Sequence, residues 1–134
     1  LGGADLNRDW GVFSQPETRS IAQWLEKLPG HIRPVAMVDF HSTSRNLFYV
    51  QGDEASEGQE QFLARWLVGK ETQIAGYHFA IERRNANPGT GTAKNWFHAN
   101  YAIPSYTYEV GDQTEREAIA TAAEELAKSF VEAL

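Results

Sequence analysis

Two stretches of this sequence carry side chains that could bind a metal ion or move a proton. In the first, His41 ends the apolar run 35–40 and Asp39 lies two residues before it, so an extended strand would place both on one face. In the second, Glu109 stands in the aromatic and β-branched segment 105–110. Imidazole and carboxylate groups serve as metal ligands and general bases. Each residue alone also has a structural explanation, since a lone histidine is more often a satisfied core or surface residue than a ligand, and Glu109 could lie at the exposed end of its strand.

A third stretch offers a different chemistry. Residues 5–10 read Asp-Leu-Asn-Arg-Asp-Trp, and the planar guanidinium of Arg8 suits a carboxylate held through two parallel hydrogen bonds. The alternative is a loop arginine in a surface ion pair, which contributes little to the free energy of folding. The residue types alone leave both interpretations open.

Hydrophobic periodicity predicts alternating helices and strands that would position these side chains. A capping box over 14–17 begins the first predicted helix. The predicted helices are 15–28, 58–74, 93–100 and 119–134, and the predicted strands are 35–41, 46–51, 78–82 and 105–110. This alternation predicts an α/β fold with a mixed, largely parallel sheet flanked by helices. His41 and Glu109 would lie at the carboxyl ends of strands, where ligands bind in open α/β sheets.

Composition narrows the classes of function. The formal net charge is −6 and no basic cluster exceeds Arg83-Arg84, so we expect no nucleic-acid partner. No apolar stretch approaches 18 residues, so we expect neither a membrane span nor a signal peptide. The chain has no cysteine, which excludes disulfides and thiolate metal sites. This leaves a secreted or periplasmic location and a cytoplasmic one both open.

Taken together, the three stretches resemble the zinc carboxypeptidases of the carboxypeptidase A type. The matching blocks are Asp5 to Trp10, Asp39 to Ser42, and Trp96 followed thirteen residues later by Glu109. The resemblance implies a zinc-carboxypeptidase-like fold and one zinc ion with His41 as a ligand. It also implies that Glu109 is the general base acting on a zinc-bound water, so that the C-terminal peptide bond is hydrolysed.

The resemblance further implies how a substrate would be held. Asn7 and Arg8 would bind the C-terminal carboxylate of a peptide or protein, and Asp5 would orient another zinc ligand from behind. Lys94 falls at the base of the pocket for the terminal side chain, where a buried ammonium would favour a C-terminal Glu or Asp. The alternative is that Lys94 points outward to water.

Two departures from the family pattern stand out. The family supplies two further zinc ligands from an upstream His-x-x-Glu motif, and none of the four histidines here begins one. We therefore expect residues 1–134 to be the C-terminal portion of a single catalytic domain, inactive alone and prone to self-association through uncovered apolar surface. The position of the substrate-capping tyrosine holds Asn87, in a predicted loop over 85–92.

Two rival functions stay open. One is a zinc-dependent amidohydrolase that releases small acyl amino acids, with Arg8 gripping their carboxylate. The other is a non-catalytic module that recognises peptide C-termini without cleaving them. Product analysis would separate the first rival, and a missing upstream His-x-x-Glu motif in the parent protein would favour the second.

Overall fold

The computed structural model describes residues 3–52, 54–84 and 91–134. These residues form a 3-10 turn over Leu6–Arg8, four helices and four strands. The helices are α1 (Pro16–Glu26), α2 (Glu57–Trp66), α3 (Ala93–Tyr101) and α4 (Arg116–Ala133), and the strands are β1 (Met37–Thr43), β2 (Leu47–Val50), β3 (Ala80–Arg83) and β4 (Ser105–Gly111). Asn87 and most of the predicted loop lie outside the described residues. Within the described ranges, no helix is long and apolar enough to cross a membrane.

The four strands form one mixed sheet in the order β1-β4-β2-β3. Strands β2 and β3 are parallel, whereas β2 and β4 are antiparallel. β1 runs parallel to β4, because Met37 N donates to Pro104 O at one end and Asp112 N donates to Thr43 O at the other. The predicted α/β fold with a mixed, largely parallel sheet is therefore confirmed.

The chain divides into two compact units. The helical unit comprises Leu1–Met37 and Ala86–Ser105, and its core gathers around Leu25, Phe97 and Ile103. The sheet unit comprises Val38–Asn85 and Tyr106–Leu134. In the sheet unit, α2 packs on α4, and the indole nitrogen of Trp66 donates to Leu126 O at 2.9 Å. Phe48 of β2 stacks on Tyr108 of β4 with ring centroids 4.2 Å apart.

The continuous apolar run over 35–40 predicts that the strand over 35–41 is buried on both faces, and this part of the prediction is wrong. β1 is an outer strand of the described sheet, and the side chain of Phe40 is 71% exposed. The apolar run correctly predicted a strand, but burial depends on how many neighbours the strand has. Here β4 covers one side of β1 only.

Two predicted helix boundaries also need correction. Ser14 does not cap α1, since both its backbone N and its Oγ donate to Asp9 Oδ1, and Gln15 is the N-cap without a side-chain bond. α2 ends at Trp66 instead of continuing to residue 74. The helix does not continue because Gly69 adopts a φ of 87°, which an α-helix cannot accommodate.

Candidate active site

His41 and Asp39 lie on one face of β1, as the alternation of the strand predicts. His41 Nε2 lies 2.7 Å from Asp39 Oδ2, and both side chains are half-buried. A carboxylate bonded to one imidazole nitrogen fixes the orientation of the ring and raises its basicity as a ligand. Metal binding by His41 would then use Nδ1.

Glu109 lies directly opposite His41 on the neighbouring strand. The hydrogen bonds from Met37 N to Pro104 O and from Asp112 N to Thr43 O fit one parallel register of β1 and β4. In this register His41 is paired with Glu109. The rings of Phe40 and Tyr108 pack together on one face of the sheet, with their centroids 5.6 Å apart. Because successive side chains of a strand point to opposite faces, His41 and Glu109 share the other face. The sheet unit thus places an imidazole and a carboxylate side by side.

On the side away from β1, Glu109 has an apolar neighbour on β2. The antiparallel neighbour opposite Glu109 on β2 is Leu47, whose side chain is 1% exposed. Oε2 of Glu109 is buried and has no hydrogen-bond partner among the described residues. A buried carboxylate oxygen without a partner is costly, and such groups concentrate where a ligand or reacting group binds.

The predicted carboxylate clamp lies in the helical unit, in the turn over Leu6–Arg8. Asp5 caps this turn by accepting a hydrogen bond from Asn7 N at 2.9 Å. The guanidinium of Arg8 lies 3.9 Å from Asp5 and donates to the carbonyl of Asn7 at 2.6 Å, while about half of its side chain stays exposed. Asp5 therefore holds the turn that presents Arg8 to solvent.

Asn7 ties this turn to the start of α3. Its Oδ1 accepts a hydrogen bond from the backbone N of Ala93 at 2.8 Å. The other end of this amide, Nδ2, carries its two hydrogen-bond donors. Lys94, the second residue of α3, is 2% exposed, so the alternative in which it points outward to water is wrong.

Comparison with known proteins decides the family. A protein-family model described as zinc carboxypeptidase matches residues 3–132. The chain belongs to the zinc carboxypeptidase family. This membership confirms the resemblance of the three sequence blocks. A search of curated proteins found no match.

A solved structure shows the same fold as this family member. It is the crystal structure of a metallo-carboxypeptidase from Burkholderia cenocepacia, which superposes with a TM-score of 0.71 at 18% sequence identity. The match covers 98% of this chain and 38% of the solved chain. The present chain thus spans well under half the length of that relative.

His41 is suited to bind the zinc ion that membership of the zinc carboxypeptidase family implies. His41 has the carboxylate partner typical of a metal-binding histidine, and beside it Glu109 has an oxygen without a hydrogen-bond partner in the described part of the chain. The described residues contain no group of three His, Asp or Glu side chains that could hold an ion. A catalytic zinc takes three protein ligands, so residues 3–52, 54–84 and 91–134 do not by themselves complete such a site.

Sequence reasoning missed the role of Asp9 in this zinc carboxypeptidase chain. Its buried carboxylate accepts hydrogen bonds from Ser14, from Gln15 N at 2.9 Å and from the hydroxyl of Thr18. The hydroxyl bonds from Ser14 and Thr18 hold the pKa of Asp9 well below its usual range. The signal was present in the sequence, since an aspartate shortly before two hydroxyl residues can accept hydrogen bonds from both.

Proposed function

We propose that this chain forms part of a zinc metallocarboxypeptidase that hydrolyses the C-terminal peptide bond of peptides or proteins. The observation that carries the proposal is the pairing of His41 with Glu109 on neighbouring strands, with Oε2 of Glu109 buried and unpartnered among the described residues. A base poised beside a metal ligand is the arrangement that hydrolysis by an activated water requires.

Each residue of the proposed site has a separate task. Glu109 takes a proton from the attacking water and delivers it to the nitrogen of the leaving amine. Asp39 orients the imidazole of His41, which holds the ion. Zinc, when bound, polarises the scissile carbonyl and lowers the pKa of water.

The helical unit supplies selection for a free C-terminus in this proposal. Arg8 binds the terminal carboxylate through its planar guanidinium, and Nδ2 of Asn7 donates a further hydrogen bond. Asp5 supports both by capping the turn. An internal peptide bond offers no carboxylate at this place, so the clamp favours the last residue of the substrate.

The proposal includes a preference for acidic C-terminal residues. Lys94 is buried at the second position of α3. Its positive charge would attract the carboxylate of a C-terminal Glu or Asp more strongly than an apolar side chain. Comparing kcat/KM for peptides ending in Glu and in Leu tests the idea, and a preference of the parent enzyme for Leu would overturn it.

The activity belongs to the parent protein in this proposal, because the family's further zinc ligands do not come from this chain. With one histidine ligand and one carboxylate, the isolated chain would bind zinc only weakly and would not turn over substrate. Titration of the isolated chain with zinc, monitored by isothermal titration calorimetry, should therefore show no tight binding.

The deciding experiment uses the longest natural product of the gene. Its zinc content and C-terminal exopeptidase activity are measured beside those of Glu109→Gln and of Glu117→Gln, an exposed carboxylate on α4. We expect one zinc per chain in all three proteins and loss of activity only in Glu109→Gln. No zinc and no cleavage would overturn the proposal in favour of peptide binding alone, and release of acyl amino acids without peptide cleavage would identify a deacylase.

A further inference from the structure

The segment that carries Arg8 lies against the residues that begin α3. Trp10 N donates to Gly91 O at 2.9 Å, and Asp9 forms an isolated parallel bridge with Gly91. Two residues further on, Ala93 N donates to the side chain of Asn7. The clamp segment, residues 7–10, is therefore attached to the start of α3 and the residues just before it, through contacts on both sides of Arg8.

Gly91 has no room for a side chain. A Cβ at Gly91 would overlap the carbonyl oxygen of Trp10 and would lie 2.8 Å from the carbonyl oxygen of Arg8. It would also lie 2.9 Å from the backbone N of Trp10. All three atoms belong to the backbone, so no flexible side chain can move aside to relieve the overlap.

The clamp segment cannot easily retreat from such a side chain. The carboxylate of Asp9 is bonded to Ser14, Gln15 and Thr18 at the start of α1. The ring of Trp10 packs on Trp96 and Phe97, with centroids 5.3 and 5.4 Å away. Because Asp9 and Trp10 are both held, a larger residue at position 91 would strain the backbone from Arg8 to Trp10.

We propose that Gly91 is a positioning residue for the carboxylate clamp, which it sets by letting the Arg8 to Trp10 backbone lie in direct contact with the start of α3. This inference rests on the proposed role of Arg8 and Asn7. Two parallel hydrogen bonds to a carboxylate demand that the guanidinium stand at one place and angle. A displacement of the Arg8 backbone by a fraction of an ångström to one ångström disturbs both.

The test measures how strongly the 134-residue chain prefers a free carboxylate. The probes are the dipeptide acetyl-Gly-Glu and its C-terminal amide, titrated by NMR chemical shift against the natural chain, Gly91→Ala and Gly30→Ala. Gly30 lies in the same unit, has an ordinary φ and has no atom within 4 Å of the place a Cβ would take, so it controls for the glycine change itself. We expect Gly91→Ala to lose about tenfold or more in affinity for the acid, and little for the amide.

A second variant covers the case in which Gly91→Ala does not fold. Ala93→Pro places proline at the first position of α3, where it is favoured, and the extended backbone of Thr92 is compatible with a following proline. The change replaces the N–H that Asn7 accepts with a ring carbon at a buried position, so the side chain of Asn7 loses this bond and must move. We expect α3 to persist and the preference for the acid over the amide to fall.

Arg8→Gln separates failure of this inference from failure of the proposed clamp. If the natural chain shows no preference for the acid, or if Arg8→Gln keeps it, the clamp itself is wrong. If Arg8→Gln loses the preference while folded Gly91→Ala keeps it, the clamp stands and the role of Gly91 is overturned. With Gly91→Ala unfolded, an unchanged preference in Ala93→Pro overturns the positioning role in the same way.

Discussion

The side-chain amide of Asn7 has a structural role and a proposed role in binding, and one substitution can separate them. Its Oδ1 accepts from Ala93 N, and its Nδ2 is the group proposed to donate to a substrate carboxylate. Asn7→Asp keeps an acceptor for Ala93 N and adds a negative charge at the start of α3, where the helix dipole favours it. The thermal stability of the chain should therefore stay the same or rise.

The affinity of Asn7→Asp for a free C-terminus should fall by about tenfold or more, because a donor is replaced by a like charge. Titration with acetyl-Gly-Glu and its amide measures this loss. Asn100→Asp makes the same chemical change at the exposed far end of α3 and should leave the preference intact. Equal affinities in the two variants would show that Asn7 does not face the substrate carboxylate.

Because of Asp9, we expect the stability of the helical unit to depend on pH. Its folded pKa is lowered by the hydroxyls of Ser14 and Thr18, so the carboxylate stabilises the fold above the ordinary pKa of an aspartate. That contribution is lost as the pH falls through the folded pKa. Asp9→Asn should lower the melting temperature near pH 7, and the difference from the natural chain should narrow as the pH falls below about 4. A difference that stays constant from pH 7 to pH 2 would contradict this account.

Trp66 joins α2 to α4 and to the sheet. Its ring, 4% exposed, packs edge-on against Phe48 and Phe130, and its indole nitrogen donates to Leu126 O. Trp66→Ala should lower the free energy of unfolding by about 3–5 kcal/mol, because it leaves a cavity in the core.

Urea denaturation monitored by circular dichroism measures the loss in Trp66→Ala. The matched control is Trp24→Ala, since Trp24 on α1 is 60% exposed and its removal should cost less than about 0.5 kcal/mol. Similar losses in the two variants would mean that the α2 and α4 layer contributes little to stability.

The sequence predicted the elements better than their surroundings. Period and composition located α1, α3, β2 and β4 within a few residues, because these signals are local. The exposure of Phe40 and the hydrogen bonds of Asp9 to the residues that precede and begin α1 were not predicted, since both depend on neighbours that the pattern of one segment does not contain. The three chemical blocks could be found because each is short and unusual, whereas Gly91 has no signal except its lack of a side chain.

The two outer strands of the described sheet differ in how they meet solvent. β3 carries ion-paired charges, since Arg83 makes two hydrogen bonds of 2.5 and 2.6 Å with Glu60, and Glu82 pairs with Arg45. Charges of this kind discourage pairing with another strand. β1 instead exposes Phe40, beside an apolar groove of about 550 Å³ that is also lined by Val38, Trp66, Tyr108, Phe130 and Val131.

This asymmetry predicts self-association of the 134-residue chain through β1 and the groove, because contiguous exposed apolar surface beside an unprotected strand favours association. Sedimentation velocity over a hundredfold range of concentration should show a species larger than the 15.0 kDa monomer that dissociates on dilution. Val131→Lys places a charge in the groove and should shift the equilibrium to the monomer. Val12→Lys adds the same charge at a residue 75% exposed in the helical unit, and should not. A monomer at every concentration, or equal effects of the two lysines, would show that neither β1 nor the groove drives association.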